Sequence, residues 1–281
     1  MEREKKLISF DVFRTLGIEH VRALKPEQMF ACRDDLRQAD WVLFPEEWQV
    51  NPLIHTLGCR IFPSVASYRF GQKKNQFTRA MSKVAPEHMP QTLILPATSE
   101  AAEQVIDRFG FPVVVKIPRS SMGQGVFKIE CRRDLEALLP ELDVLYAQEM
   151  LPIDRDLRVV WIGDEVVAAY WRVSDGFHNN ISRGGEADFS AIPNAASALV
   201  QRLARGMGID HAGFDLACVD GHWYAIEANV RFGNDALRAK GINTAKRIAD
   251  WLDHFDPVQD GPETPDKPDG PMQPGRLATV C

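Results

Sequence analysis

An aspartate, a glutamate and an asparagine are spaced for metal chemistry in GFDLACVDGHWYAIEANV, residues 213–230. Strand parity puts Phe214, Leu216 and Cys218 on one face of a first strand, and Tyr224, Ile226, Ala228 and Val230 on one face of a second. The other faces collect Asp215, Glu227 and Asn229, and a three-residue loop at Asp220–His222 would set Asp215 directly opposite Glu227. Like charges opposed in a sheet repel, so the pair asks for a cation, and all-oxygen ligands with a carboxamide suit Mg²⁺. The plainer reading is the hydrated side of a hairpin. Ala217, Val219, Trp223 and Ala225 on the same face argue for an enclosed site instead.

Mg²⁺ held by few protein ligands usually bridges substrate phosphates, which directs attention to anion-binding segments. GxxxxGK[ST] does not occur, which excludes a P-loop. In VVVKIPRSSMGQGVFKIE, Lys116 lies in an apolar strand and a small-residue loop, Ser120 to Gly125, turns into the next. Gly123 and Gly125 let backbone N–H groups approach an anion closely. Taken alone, this is equally a glycine-containing hairpin with a snorkelling lysine. In LYAQEMLPIDRDLRV, a strand runs out through Glu149, Met150 and Leu151 into Pro152, leaving backbone polar groups between apolar side chains where a purine could bind. Asp156 is placed to accept from a ribose hydroxyl, or simply starts the next strand at the surface. DGFHNNISRGGEA, residues 175–187, has an Asn pair, an Arg and a Gly pair with no helical or strand period, and packing does not account for them.

In order, FPVVVKIPRSSMGQGV, QEMLPIDRDLRVVWIGDEVVAA, HNNISRGG, AGFDLACVD and IEANV resemble ATP-grasp carboxylate-amine ligases, the RimK-like glutamate ligases in particular, over about Lys73 to Phe255. The resemblance implies a mixed α/β (α+β) fold, in which a small N-terminal α/β domain precedes two α+β subdomains that clasp ATP. It implies ADP-forming C–N ligation through an acyl phosphate, with ATP and two Mg²⁺ ions as cofactors and Mn²⁺ as a substitute. It also implies residue roles. Lys116 would contact the α- and β-phosphates under a loop containing Ser121, Gly123 and Gly125, while Glu149, Met150 and Leu151 hold adenine and Asp156 meets the ribose. Lys74 fits a second ATP lysine better than Lys73. His178, Asn179 and Asn180 would line the phosphates, and Arg183 would stabilise the transferring phosphoryl group. Asp215, Glu227 and Asn229 match the metal ligands, with Arg183, Lys116 and Asn229 as the catalytic set. Both loops are expected to close over the nucleotide, because an acyl phosphate must be shielded from water.

After Asn229 the chain departs from the family. A small residue, Ser, Pro and Gly are replaced by Val230, Arg231, Phe232, Gly233 and Asn234. Arg231 could pair with a substrate carboxylate or stand exposed in a turn. The partners implied are small-molecule carboxylate and amine substrates or a peptide or protein terminus, with glutamate a family-level expectation. A dimer or tetramer would suit the family. Two other classes compete: an ATP-binding scaffold without ligase turnover, and a peptide-interaction protein using the Pro-rich tail.

The elements that must position these residues follow from periodicity. LISFDVF, WVLFP and CRIFPS read as strands, with helices over Pro26–Gln38 and Glu46–Leu57, forming a small α/β layer. GQKKNQFTRAMSKVAP predicts a helix with Phe77, Ala80, Met81 and Val84 on one face. Strand TLILPAT comes next, then a helix from Ser99, as N-cap, to about Arg108. Two strands, a helix over Arg133–Leu139 and strand LYAQEML complete a unit. A hairpin turning at Gly163-Asp164 follows, then a helix over Pro193–Met207 with Ala195, Leu199, Leu203 and Met207 in register, the Asp215 hairpin, and a closing helix in NTAKRIADWLDHF. The implied boundaries are 1–72, 73–145, 146–255 and a Pro-rich tail, 256–281, expected to be disordered. Composition agrees with a globular protein: of 281 residues, 45% are hydrophobic and 26% charged, with no run long enough to span a membrane. A net charge of −6 argues against nonspecific nucleic-acid binding. The N-terminus reads as no signal peptide, so a cytoplasmic location is expected. The five cysteines lack zinc spacing and are expected to be reduced.

Overall fold

The computed structural model describes residues 5–118, 125–173, 186–190 and 192–255. The N-terminal sheet, in order β2-β1-β3-β4, pairs Leu7–Ser9 (β1), Val21–Ala23 (β2), Trp41–Leu43 (β3) and Ile61–Phe62 (β4), all parallel. Strand alternation divides this sheet between two cores. Ile8, Val42 and Ile61 pack with Leu36 and Leu53, whereas Leu7, Leu43 and Phe62 pack against the central sheet. In this N-terminal region three pieces escape the sequence pattern: the short β2 and the helices Val12–Thr15 (α1) and Val65–Gln72 (α4). The expected helix at 26–38 is a 3₁₀ turn followed by Arg33–Gln38 (α2), and the next is Glu47–Asn51 (α3) continued by a π-helical turn.

A second sheet, ordered β5-β8-β6-β7, pairs Thr92–Pro96 (β5), Val113–Lys116 (β6), Val126–Ile129 (β7) and Val144–Glu149 (β8), all antiparallel. Val113, Val115, Leu145 and Ala147 turn toward the helices Ser99–Phe109 (α6) and Arg132–Leu138 (α7). Parity therefore sends Lys116, Tyr146 and Gln148 to the opposite face. The N-cap of α6 is Thr98, whose hydroxyl accepts from the Ala101 amide, one residue before the expected Ser99.

The central sheet, β11-β10-β9-β12-β13, comprises Arg155–Ile162 (β9), Glu165–Val173 (β10), Glu186–Asp188 (β11), His211–Val219 (β12) and His222–Asn229 (β13). One face is covered by Lys74–Val84 (α5) and Asn194–Met207 (α8), through Phe77, Met81, Leu199 and Leu203 against Leu157, Val159, Phe214 and Leu216. Leu199, Leu203 and Met207 are buried as expected, whereas Ala195 is exposed and Ala196 takes its place in the contact. The opposite face meets the N-terminal sheet, and the helix Thr244–His254 (α10) packs there beyond the short Asp235–Ala239 (α9). α5 belongs to the core of the central sheet, and β8 lies wholly in the second sheet. Among the described residues, Cys32, Cys59, Cys131 and Cys218 are free thiols, and no helix is long and apolar enough to cross a membrane. The tail lies outside the described residues.

Candidate active site

Asp215 and Glu227 do pair across β12 and β13, but not through the expected three-residue loop. Val219 pairs with His222 around a two-residue turn, Asp220-Gly221, with both residues at positive φ. That turn alone would set Ile226 opposite Asp215. A β-bulge restores the register, since Leu216 pairs with Ala225 and Asp215 with Glu227, leaving Ile226 as the extra residue. The same bulge corrects the face assignment. Trp223 and Ala225, expected on the acidic face, lie in the apolar core with Leu216, and beyond the bulge Ala228 joins them.

Asn229 gathers the two acids, its Nδ2 donating to Glu227 Oε1 at 3.0 Å and to Asp215 Oδ2 at 3.3 Å. Lys74 Nζ, at the first turn of α5, lies 3.4 Å from Glu227 Oε2. Lys73 turns away to Glu47 at 3.4 Å, so the two adjacent lysines separate cleanly. The Lys74 amide donates to Pro118 O at 3.3 Å, tying α5 to the hairpin that carries Lys116. Lys116 is 4% exposed and donates to Gln148 Oε1 at 2.7 Å. Burial pulls its pKa down to about 8, with Lys74 adding to the effect and Glu227 and Asp215 opposing it. The Gln148 amide is oriented from behind. Thr92 Oγ1 donates to Pro90 O at 2.7 Å, so it accepts from Gln148 Nε2 at 2.8 Å. Tyr146 Oη bonds Thr78 Oγ1 at 2.7 Å, linking β8 to α5.

Asp215 is embedded between two arginines that residue spacing alone does not bring to it. Arg158 donates to both of its oxygens, with Nη2 at 3.1 Å from Oδ2, and Arg172 Nη2 lies 3.0 Å from the same oxygen. Burial would raise the Asp215 pKa, but the two guanidiniums outweigh it and hold the carboxyl below its ordinary range. Asp156 accepts from Arg172 Nε at 2.5 Å, and burial, reinforced by the charge of Asp215, pushes its pKa up to about 6. Asp156, expected at a ribose, is thus engaged inside this cluster. A parity signal was present. Arg158 sits two residues after Asp156 in a run of apolar strand residues, and a lone arginine there needs a buried acid.

Glu149 accepts from the Gln91 amide at 2.7 Å and donates its own amide to Gln91 O at 2.9 Å, at the end of β8, where half-buried Met150 and Leu151 leave the sheet. Gly125 is buried and its carbonyl accepts from Ile117 N at 2.7 Å. Arg231, about a third exposed, donates to Pro45 O at 3.2 Å and pairs with Glu46 at 3.3 Å, apart from the acidic cluster. Ser121, Gly123, His178, Asn179, Asn180 and Arg183 lie outside the described residues.

The donor set fits Mg²⁺. Two carboxylates and a carboxamide, all oxygen ligands, lie within reach of one another, and the amide that now donates to both acids presents its oxygen on rotation. Among the described residues, no cluster of three or more His, Cys, Asp or Glu offers a rival site.

Residues 77–252 match the family model of the RimK-like ATP-grasp domain. A probable alpha-L-glutamate ligase of Citrobacter koseri is 30% identical over 215 residues, covering 70% of this chain and 71% of that protein. A ribosomal protein bS6–L-glutamate ligase of Escherichia fergusonii is 27% identical over 214 residues, with 70% and 71% covered. The crystal structure of D-alanine–D-alanine ligase from Bacillus anthracis superposes with a TM-score of 0.68 over 89% of this chain and 96% of that one at 12% identity, a likeness of fold. On the matched model and these relatives, the chain belongs to the RimK-like ATP-grasp family.

Proposed function

We propose the following roles for this chain's residues in ATP-dependent carboxylate-amine ligation, the ADP-forming C–N chemistry of its family. Lys116 and Lys74 hold the triphosphate from the side of the second sheet and α5. Asp215, Glu227 and Asn229 hold Mg²⁺, two ions in our reading with Mn²⁺ able to substitute. When bound, the metal neutralises phosphate charge and orients the γ-phosphoryl group. Glu149, Met150 and Leu151 receive adenine at the end of β8, and Asp156 acts toward the ribose only if nucleotide binding releases it from Arg172. The glycine loop with Ser121, Gly123 and Gly125, the phosphate-lining His178, Asn179 and Asn180, and the transfer residue Arg183 complete the site.

The substrate carboxylate attacks the γ-phosphorus, the Pγ–O bond to ADP breaks, and an acyl phosphate forms. The amine then attacks the acyl carbon, loses a proton and expels phosphate. No enzyme nucleophile is required, so the residues act by position and charge. Glutamate is one candidate substrate, since the named relatives are glutamate ligases. A protein terminus is an alternative carboxylate, and the cytosol is the proposed setting.

The observation that carries the assignment is the convergence of Lys74 on Glu227, and of Asn229 on both acids, beside buried Lys116. A scaffold that only binds ATP is disfavoured, because it could lose members of this set without penalty. ADP release from Mg-ATP across pairs of amino acids and peptides decides between them. Dependence on two added substrates is expected. Tight ATP binding with no turnover under any pair would overturn the assignment.

A further inference from the structure

Open parallel sheets receive ligands outside the carboxyl ends of their strands. In the N-terminal sheet that end holds two arginines from distant parts of the chain. The segment after β1 supplies Arg14, whose Nη1 donates to Phe232 O at 3.2 Å. Arg231, two residues beyond Asn229, donates to Pro45 O at 3.2 Å just after β3, and the same carbonyl accepts from Tyr68 Oη at 2.6 Å. Phe44, preceding Pro45, is held at φ +48°, a conformation a Phe rarely adopts, and its ring packs edge-on against Phe62 and His211. Strain of this kind gathers where a ligand is held.

The arginines are near neighbours: burial lowers the pKa of Arg14, and Arg231 lowers it further against the opposing charge of Asp11. Each has one acid beside it, Asp11 at 3.4 Å from Arg14 and Glu46 at 3.3 Å from Arg231. Both contacts are long and single, unlike the paired bonds a carboxylate forms with a guanidinium fork. Next to Arg14, Val12, Phe13 and Leu16 are 51%, 86% and 75% exposed, three large apolar side chains within five residues.

We propose that this crevice binds the amine substrate as an amino acid with an apolar side chain, its free α-carboxylate bridged by Arg14 and Arg231 and its side chain lying on Phe13 and Leu16. The proposal rests on the ligase reading and names a substrate class for it. Arg231 is two residues, at most about 7 Å of chain, from Asn229 of the proposed metal site. Glutamate fits less well, because its second carboxylate would be set against exposed apolar carbons.

The test is calorimetric titration of the full-length chain, with Mg²⁺ and a non-hydrolysable ATP analogue, using L-leucine, L-leucinamide, glycine and L-glutamate. Leucine is expected to bind at least about tenfold more tightly than leucinamide or glutamate. Arg14→Lys and Arg231→Lys, which keep the charge and lose the fork, should each weaken leucine about tenfold and leave leucinamide and the analogue within about twofold. Phe13→Ser, at a position the core does not use, should weaken leucine and spare glycine. Equal binding of leucine and leucinamide, tighter binding of glutamate, no binding of leucine, or variants that bind leucine like the wild type would each overturn the proposal. Failure of the analogue to bind would count against the ligase reading separately, and leucine titrated without nucleotide would still decide the crevice.

Discussion

Buried charge is handled in opposite ways on the second and central sheets. On the second sheet, Lys116 is buried with a neutral amide as its hydrogen-bond partner, and its pKa falls to about 8. On the central sheet, Asp215 is buried between two guanidiniums and its pKa falls for the reverse reason, because its charged form is over-compensated. The lysine is therefore short of a negative charge, which the proposed phosphate contact would supply. The aspartate is already satisfied, so any metal it takes must share it with Arg158 and Arg172. One side is built to receive an anion, and the other to hold a carboxylate still until a cation is delivered with it.

The contrast breaks most visibly at Asp215. Asp215→Asn leaves Arg158 and Arg172 buried with one carboxylate, Asp156, between them, and should lower stability by about 3–5 kcal/mol in urea titration. ADP release should fall by more than about 10³-fold. Glu227→Gln should lose comparable activity with little change in the urea midpoint, since Glu227 is a quarter exposed and a Gln oxygen can still accept from Asn229. Equal destabilisation by the two variants would mean that the arginine cage does not set them apart.

Lys116 gives the next largest effect, and one with a sign in pH. Lys116→Met should lower activity about 10²–10³-fold while leaving stability at pH 7 unchanged or raised, because a buried charge with a neutral partner is removed. The folded pKa lies near 8, against an ordinary 10.5, so between those values the unfolded chain holds more protons. Stability therefore rises with pH across that window, and below it the full penalty of the buried charge, about 3 kcal/mol, is present. The difference in unfolding free energy between wild type and Lys116→Met, measured from pH 7 to 10.5, should shrink accordingly. A flat difference would show that Lys116 is not desolvated.

Much of this site was legible from residue types and spacing, and the misses have physical causes. Asp215, Glu227 and Asn229 converge as strand parity predicts, yet by compensation, since a two-residue turn and a bulge at Ile226 each shift the register by one. A bulge has no residue signature in AIEAN, so plain strand parity misplaces the faces of Trp223 and Ala225 while bringing the acids together. Arg158 and Arg172 were written in the sequence but invisible as a pair, because their common partner lies on a strand that follows them by more than forty residues. The N-terminal layer was legible as a rhythm of apolar runs. β2 was not, since its residues are largely exposed and carry no alternation. α5 and β8 were recognised as elements, but only packing shows which core each one joins.

The Gln148 side of the comparison yields a smaller effect. Gln148→Glu supplies Lys116 with a carboxylate, which should stabilise the fold by about 1–2 kcal/mol yet weaken the ATP analogue about tenfold, since the phosphate must then displace an ion pair. Gln148→Leu, with neither donor nor acceptor, separates that effect from simple loss of the hydrogen bond. Calorimetric titration of the analogue into both variants reads the order: Glu weakest, Leu intermediate, wild type tightest. Leu weaker than Glu would mean that holding Lys116 in place matters more than leaving its charge available.

The smallest effects test whether neighbouring lysines can be told apart. Lys74 is 12% exposed and reaches Glu227, whereas Lys73 is a third exposed and pairs with Glu47 on the N-terminal domain. An exposed ion pair contributes about 0–1 kcal/mol, so Lys73→Ala should leave the melting temperature within about 3 °C and analogue affinity within about twofold of wild type. Lys74→Ala should weaken the analogue about tenfold, because it removes one of two cations beside the phosphates and leaves Glu227 without its counter-charge. If the two substitutions act equally, the charge of the segment matters and the direction of its side chains does not; the approach of Lys74 to the acids would then be incidental to nucleotide binding.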